Sequence, residues 1–207
     1  MPDGTVEVKR GRKFDQVLQG AREIFMADGF EGASVDDIAK AAQVSKATLY
    51  KYFPDKRLLF MEVARTECQQ QADTALEQID LDGPVADVLT DAALQMVTFL
   101  TSPFGQRTFR ICVAESDRFP ELGREFYESG PMLLRTKIMD FIDLAASRGE
   151  LVVDDPALAA DQFAELCKAD IFPRMIFNMT ATFTQQEVER VVSGAVEMFM
   201  ARYGAKK

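Results

Sequence analysis

The stretch VSKATLYKYFPDK, residues 44–56, gathers side chains suited to holding an anion: Ser45, Lys46, Thr48, Tyr50, Lys51, Tyr52 and Lys56. Hydroxyl, phenol and ammonium groups of this kind are what phosphate oxygens accept hydrogen bonds from in protein–nucleic acid contacts. The pattern predicts a helix over 46–52. Ser45 caps it, and Pro54 ends it because the residue before a proline avoids helical angles. Leu49 and Phe53 then face inward, leaving Lys46, Ala47, Thr48, Tyr50 and Lys51 outward. Seven residues span about 10 Å, short enough to enter end-on a groove about 12 Å wide. Free N–H groups and the dipole at its N-terminus favour phosphate. The competing reading is a solvated face of an ordinary bundle helix. Tyrosines on a Lys/Thr surface argue against it.

The chain as a whole is acidic, with 24 Lys+Arg against 33 Asp+Glu in 207 residues. The imbalance is local. Residues 1–60 hold ten basic and nine acidic side chains, and the remainder hold 14 and 24. Salt screens charges beyond about 8 Å at physiological strength, so a basic face in the first 60 residues acts despite the total. There is no histidine, which removes Ser-His-Asp and Cys-His catalysis. Cys68, Cys112 and Cys167 are odd in number and far apart, unlike a disulfide framework or zinc site. No phosphate-cradling glycine loop or nucleophile elbow occurs, and Asp154-Asp155 reads as a helix cap. The expectation is no enzyme, no catalytic residue, no metal and no cofactor. No apolar run approaches the length of a membrane span and no signal-type leader opens the chain, so a cytoplasmic protein without a membrane partner is expected.

The elements that must position the 44–56 stretch are helical. Apolar residues at Phe14, Val17, Leu18, Ala21, Ile24 and Phe25 follow one helix face, with Gly29 as its stop. Ser34 caps a helix from Val35 to Ala42. Two brief helices joined by Gln43-Val44-Ser45 make a helix-turn-helix. Ile38, Ala39, Ala42, Val44, Leu49 and Phe53 supply its core, closed by Phe25 and Phe30. Pro54-Asp55 opens a helix to about Gln78. Further helices are expected at 85–100, 103–114, from 120, 132–146, from 156 to about 177 with a kink at Pro173, and 185–203. Leu151-Val152-Val153 could be extended but makes no sheet. The fold expected is all-α.

Residues 34–63, SVDDIAKAAQVSKATLYKYFPDKRLLFMEV, resemble the DNA-binding signature of TetR-family transcriptional regulators. Residues 113–131 and 144–163 resemble the AefR-like subgroup of C-terminal domains. The resemblance implies an N-terminal arm and three-helix helix-turn-helix domain over 1–56. A C-terminal helical ligand-binding and dimerisation bundle then covers 57–207. It implies a homodimer on a palindromic double-stranded DNA operator, acting as a repressor released by a small apolar or amphipathic effector. The alternatives are an activator, or a helical protein-interaction module whose helix-turn-helix is vestigial. Ser34 is implied to cap its helix beside a phosphate, Lys46, Ala47 and Thr48 to lie at the groove with Lys51 on the same outer face, and Tyr50, Tyr52 and Lys56 to reach the DNA backbone. Gln43 stands where such turns often have glycine, which predicts strain.

Residues 96–179 are rich in Met and Phe, which form either plain core or an apolar cavity between helices. The cavity reading assigns ligand contact to Met96, Phe99, Phe109, Cys112, Phe126 and Phe163, with Arg110 holding an anionic end. The apolar stripes of the last helices serve internal packing or, as the resemblance implies, a four-helix dimer interface of Phe163, Leu166, Ile171, Val188, Val192, Val196 and Phe199.

Overall fold

The computed structural model of the chain describes residues 11–206. Among these, α-helices make the whole architecture, and the lone β pairing is an antiparallel bridge between Leu151 and Gly204. The first four helices are α1 Arg12–Gly32, α2 Val35–Ala41, α3 Lys46–Tyr52 and α4 Lys56–Gln78. Gly29 sits inside the α1 span at φ 74 and ψ -179, a conformation open to glycine and rarely adopted by other residues, so the helical path breaks there. Ser34 Oγ accepts from Asp37 N at 3.1 Å and Ser45 Oγ from Thr48 N at 3.1 Å, so both expected caps are made. Gln43 adopts φ 54, so the turn between α2 and α3 is strained as its residue type foretold.

The second part comprises α5 Val85–Thr101, α6 Pro103–Glu115, α7 Pro120–Ser129, α8 Pro131–Ser147, α9 Pro156–Leu166, α10 Ile171–Ile176 and α11 Gln185–Tyr203. Four of these open on proline, whose missing N–H is unbonded in a first turn anyway. One expectation is overturned. The run from 156 to 177 is two helices, broken at 167–170 rather than kinked at Pro173. A continuous helix would have lost the bond from residue 173 to the Ala169 carbonyl and set the proline ring against it. With Asp170 at φ 63, Pro173 falls in the first turn of α10, and the Ala169 carbonyl accepts from Ile171 N at 2.7 Å. Thr184 and Glu187 form a reciprocal capping box at the start of α11.

Two apolar cores result. The first joins α1–α3 and the first half of α4 to α6 and α7: Phe25, Ile38, Leu49, Leu59 and Phe60 are buried together with Phe104, Cys112 and Leu122. The second is formed by α5, α8, α9 and α11 around Leu89, Ile142, Phe163 and Phe199. The long helix α4 runs from the first core towards the second.

Candidate nucleic-acid interface and ligand cavity

α2 and α3 are held against α1 by an unusually close crossing. A Cβ on Gly20 would lie 2.5 Å from the Ala42 backbone nitrogen, so only glycine lets α1 approach the end of α2. Phe25 stacks on Phe30 and meets Phe60 edge-on, and Phe14 packs on Phe53, which fixes α3 from behind. On the outer side Lys46, Ala47, Tyr50 and Lys51 are exposed and Thr48 is half-buried. Thr48 Oγ1 lies 2.9 Å from Ser45 Oγ, and Lys46 pairs with Asp36 of α2. Tyr50 has no hydrogen-bond partner among the described residues. Tyr52 is half-buried, its ring edge-on to Phe14. Ser34 is exposed at the start of α2. The N-terminal arm, residues 1–10, lies outside the described residues.

Lys56 is arranged differently from the others. Its ammonium turns inward, donating to the carbonyls of Phe30 at 2.7 Å and Ala33 at 3.1 Å, and lies over the Phe30 ring. In this arrangement it ties α4 to the end of α1 rather than reaching outward. Arg57 beside it bonds Asp55 through Nε at 2.9 Å and Glu121 of α7 at 3.2 Å, and stacks on Phe119. The Asp55 carboxyl is held below its ordinary range, chiefly by the hydrogen bond from Arg57. Arg22 of α1 pairs with Glu67 of α4 at 2.7 Å, and Arg107 donates to the Ala27 carbonyl at 3.4 Å. The helix-turn-helix is thus clamped to α4, α6 and α7. Nothing in the sequence pattern marked these clamps, because each joins elements far apart in the chain.

Between the cores lies a cavity of ≈ 470 Å³, walled by α4, α5, α7, α8 and α9. That is within the usual range for small-molecule sites, about 300–1,000 Å³. Three of the expected ligand residues, Met96, Phe99 and Phe126, line it. The other four do not. Phe109 packs edge-on to Phe126 and Phe172. Arg110 donates to the Met175 carbonyl at 2.6 Å and to Asn178 Oδ1 at 2.8 Å, fastening α6 to α10. Cys112 is buried in the first core, and Phe163 in the second against Phe199. Burial pushes the Cys112 thiol up to about 12 and Cys68, which does line the cavity, up to about 11, so both remain thiols at neutral pH.

Sequence reasoning missed Cys68, Gln71 and Ala72 on α4 and the α8 row Leu133, Lys137, Phe141. The α8 row carries the i, i+4, i+8 spacing that could have found it. Phe99 and Gln71 also border a second cleft of ≈ 450 Å³ that reaches Arg22 and Met26 of α1.

Five of the seven expected dimer residues are buried within the subunit. Phe163, Ile171, Val192, Val196 and Phe199 are buried inside the subunit, and Leu166 and Val188 pack against the same core. Those five are spent on internal packing, while Leu166 and Val188 are half-buried and keep part of their surface outward. The outward faces of α9 and α11 instead show Leu158, 49% exposed, and Met198, 61% exposed.

Residues 17–63 match the family model described as bacterial regulatory proteins of the tetR family, and residues 87–205 match the AefR-like transcriptional repressor C-terminal domain. The chain belongs to the TetR family of transcriptional regulators. The fold agrees. A TetR-family regulator structure from Mesorhizobium loti superposes with TM-score 0.81 at 27% identity, covering 96% of this chain and all of that one. The flavonoid-responsive regulator FrrA superposes at 0.76 with 32% identity, again over 96% of this chain and all of that one. Among curated relatives, the HTH-type regulator YdeS of Bacillus subtilis is 33% identical over 48% of this chain and half of its own length. YezE, also of Bacillus subtilis, is 25% identical over 73% of this chain and 80% of its own. This TetR-family chain therefore carries a helix-turn-helix DNA-binding domain. No helix among the described residues is long and apolar enough to cross a membrane.

Proposed function

We propose that the chain is a homodimeric repressor that binds a palindromic DNA operator through α3 and is released when a small apolar or amphipathic molecule enters the cavity. The observation that carries the release is the shared wall. Phe99 and Phe126 line the cavity and also pack against the core that holds α3. Phe99 and Gln71 further separate the cavity from the cleft against α1. A ligand that displaces Phe99 acts on the contact between α1, α4 and α6, and so on the spacing of the two recognition helices. Successive major grooves require about 34 Å between them. We take the domain seam to lie within α4, because Leu59, Phe60, Met61 and Val63 pack in the first core. The two copies pair through the outward faces of α9 and α11 that carry Leu158 and Met198. Groove contact falls to Lys46, Ala47 and Thr48, and phosphate contact to Ser34, Tyr50, Lys51 and Tyr52. The flavonoid-responsive relative supports an effector of this general character.

The test is a gel shift on the DNA upstream of the chain's own gene. A salt-sensitive, sequence-selective complex is expected, with Lys51→Ala lowering the salt slope by about one. Met198→Asp should yield helical monomers that bind the palindrome poorly. Absence of any sequence-selective complex would refute the reading.

A further inference from the structure

We propose that the cavity selects a monoanionic amphiphile, an organic carboxylate or phenolate, whose charged end is held by Lys137. The inference rests on the ligand-binding reading above and narrows it.

The walls of the cavity are apolar. Val88, Leu89, Met96, Leu134, Ile138 and Phe141 are among the apolar side chains that line it. Three cations border it: Arg135, Lys137 and Lys168. Two are already neutralised. Arg135 Nε lies 2.9 Å from Asp161, and Lys168 Nζ lies 2.5 Å from Glu165. Lys137 is half-buried and has no ion-pair or hydrogen-bond partner among the described residues. It sits in the α8 row between Leu133 and Phe141, so its hydrocarbon stem runs along the apolar wall. A lysine so placed lays its stem on apolar surface and keeps its ammonium where water or a ligand reaches it. One unpaired positive charge at the border of an apolar cavity matches one negative charge on an apolar body. A dianion would leave a charge unpaired, and a cation would meet Lys137 directly. Arg110, the anchor expected from the sequence, is engaged with Met175 and Asn178 and does not border the cavity.

The experiment uses the full chain without DNA, so its outcome is independent of operator release. Calorimetric titration compares two matched pairs, dodecanoate against 1-dodecanol and 7-hydroxyflavone, above the pKa of its phenol, against flavone. The arms separate an aliphatic carboxylate from an aromatic phenolate. In at least one pair the anion should bind about tenfold more tightly than its neutral partner. Lys137→Met should abolish that preference without loss of helicity, and Lys137→Arg should retain it. Equal affinity within both pairs, no binding by any probe, or a preference that survives in Lys137→Met would overturn the proposal. Binding that shows the preference but does not release DNA would uphold this inference and refute the switch proposed above.

Discussion

The two cores differ in how they are filled. The first is interlocked by aromatic rings: Phe25, Phe30 and Phe60 contact one another in stacked and edge-on geometry. It also crosses α1 over α2 with no room for a Cβ at Gly20. The second core is continuous with a cavity of ≈ 470 Å³, since Val88, Leu89 and Met96 of α5 and Ile138 and Phe141 of α8 belong to both. A close-packed unit presents α3 as a rigid body, because interiors at crystal-like density transmit displacement rather than absorb it. A hollow bundle has room to accept a ligand and to change shape. One chain thus joins a close-packed unit to one that borders a cavity, with Phe99 and Phe126 at the join.

The contrast breaks most sharply if large-to-small substitution is tolerated in the first core. Phe25→Ala empties a fully buried ring site and should cost about 3–5 kcal/mol, measured by urea denaturation. The next comparison adds volume. Gly20→Ala places one carbon 2.5 Å from the Ala42 backbone and should cost about 1–3 kcal/mol. Ala92→Leu adds three carbons beside the cavity and should cost under about 1 kcal/mol. If Ala92→Leu were the more damaging, the cavity would not be the yielding part. Lys56→Ala leaves the Phe30 and Ala33 carbonyls without their donor. It should lower stability by about 1–2 kcal/mol, in addition to any effect on DNA; an unchanged melting temperature would place that ammonium at solvent instead. The smallest effect has the opposite sign. Gln43→Gly relieves a side chain held at φ 54 and should stabilise the chain by about 1 kcal/mol, with operator affinity retained.

The two regions also differed in how much of them could be read from residues. Ser34, Ser45, Gly29 and Pro54 act within a few positions of themselves, so the limits of α1–α3 and the outward face of α3 were legible. Gln43 announced its own strain. The cavity was not legible, because Met96 lining a void and Phe163 filling a core leave the same helical periodicity. Only the partner across the bundle distinguishes them. Stripes on α9 and α11 suffered the same ambiguity, and the subunit's own core claimed Val192 and Phe199. Long-range ties such as Arg57–Glu121 and the Gly20–Ala42 crossing depend on tertiary approach, which spacing along the chain does not encode.

Coupling between the cavity and the DNA face is reciprocal: a ligand that weakens operator binding must itself be bound more weakly by the operator complex. The decisive measurement is therefore the affinity of whichever anionic probe binds best, taken on the free dimer and again on the dimer saturated with operator. The shared Phe99 and Phe126 wall predicts weaker binding to the DNA complex by about 5- to 150-fold. Equal affinity for the two forms would mean that the cavity and α3 are independent, and would contradict a ligand-released repressor.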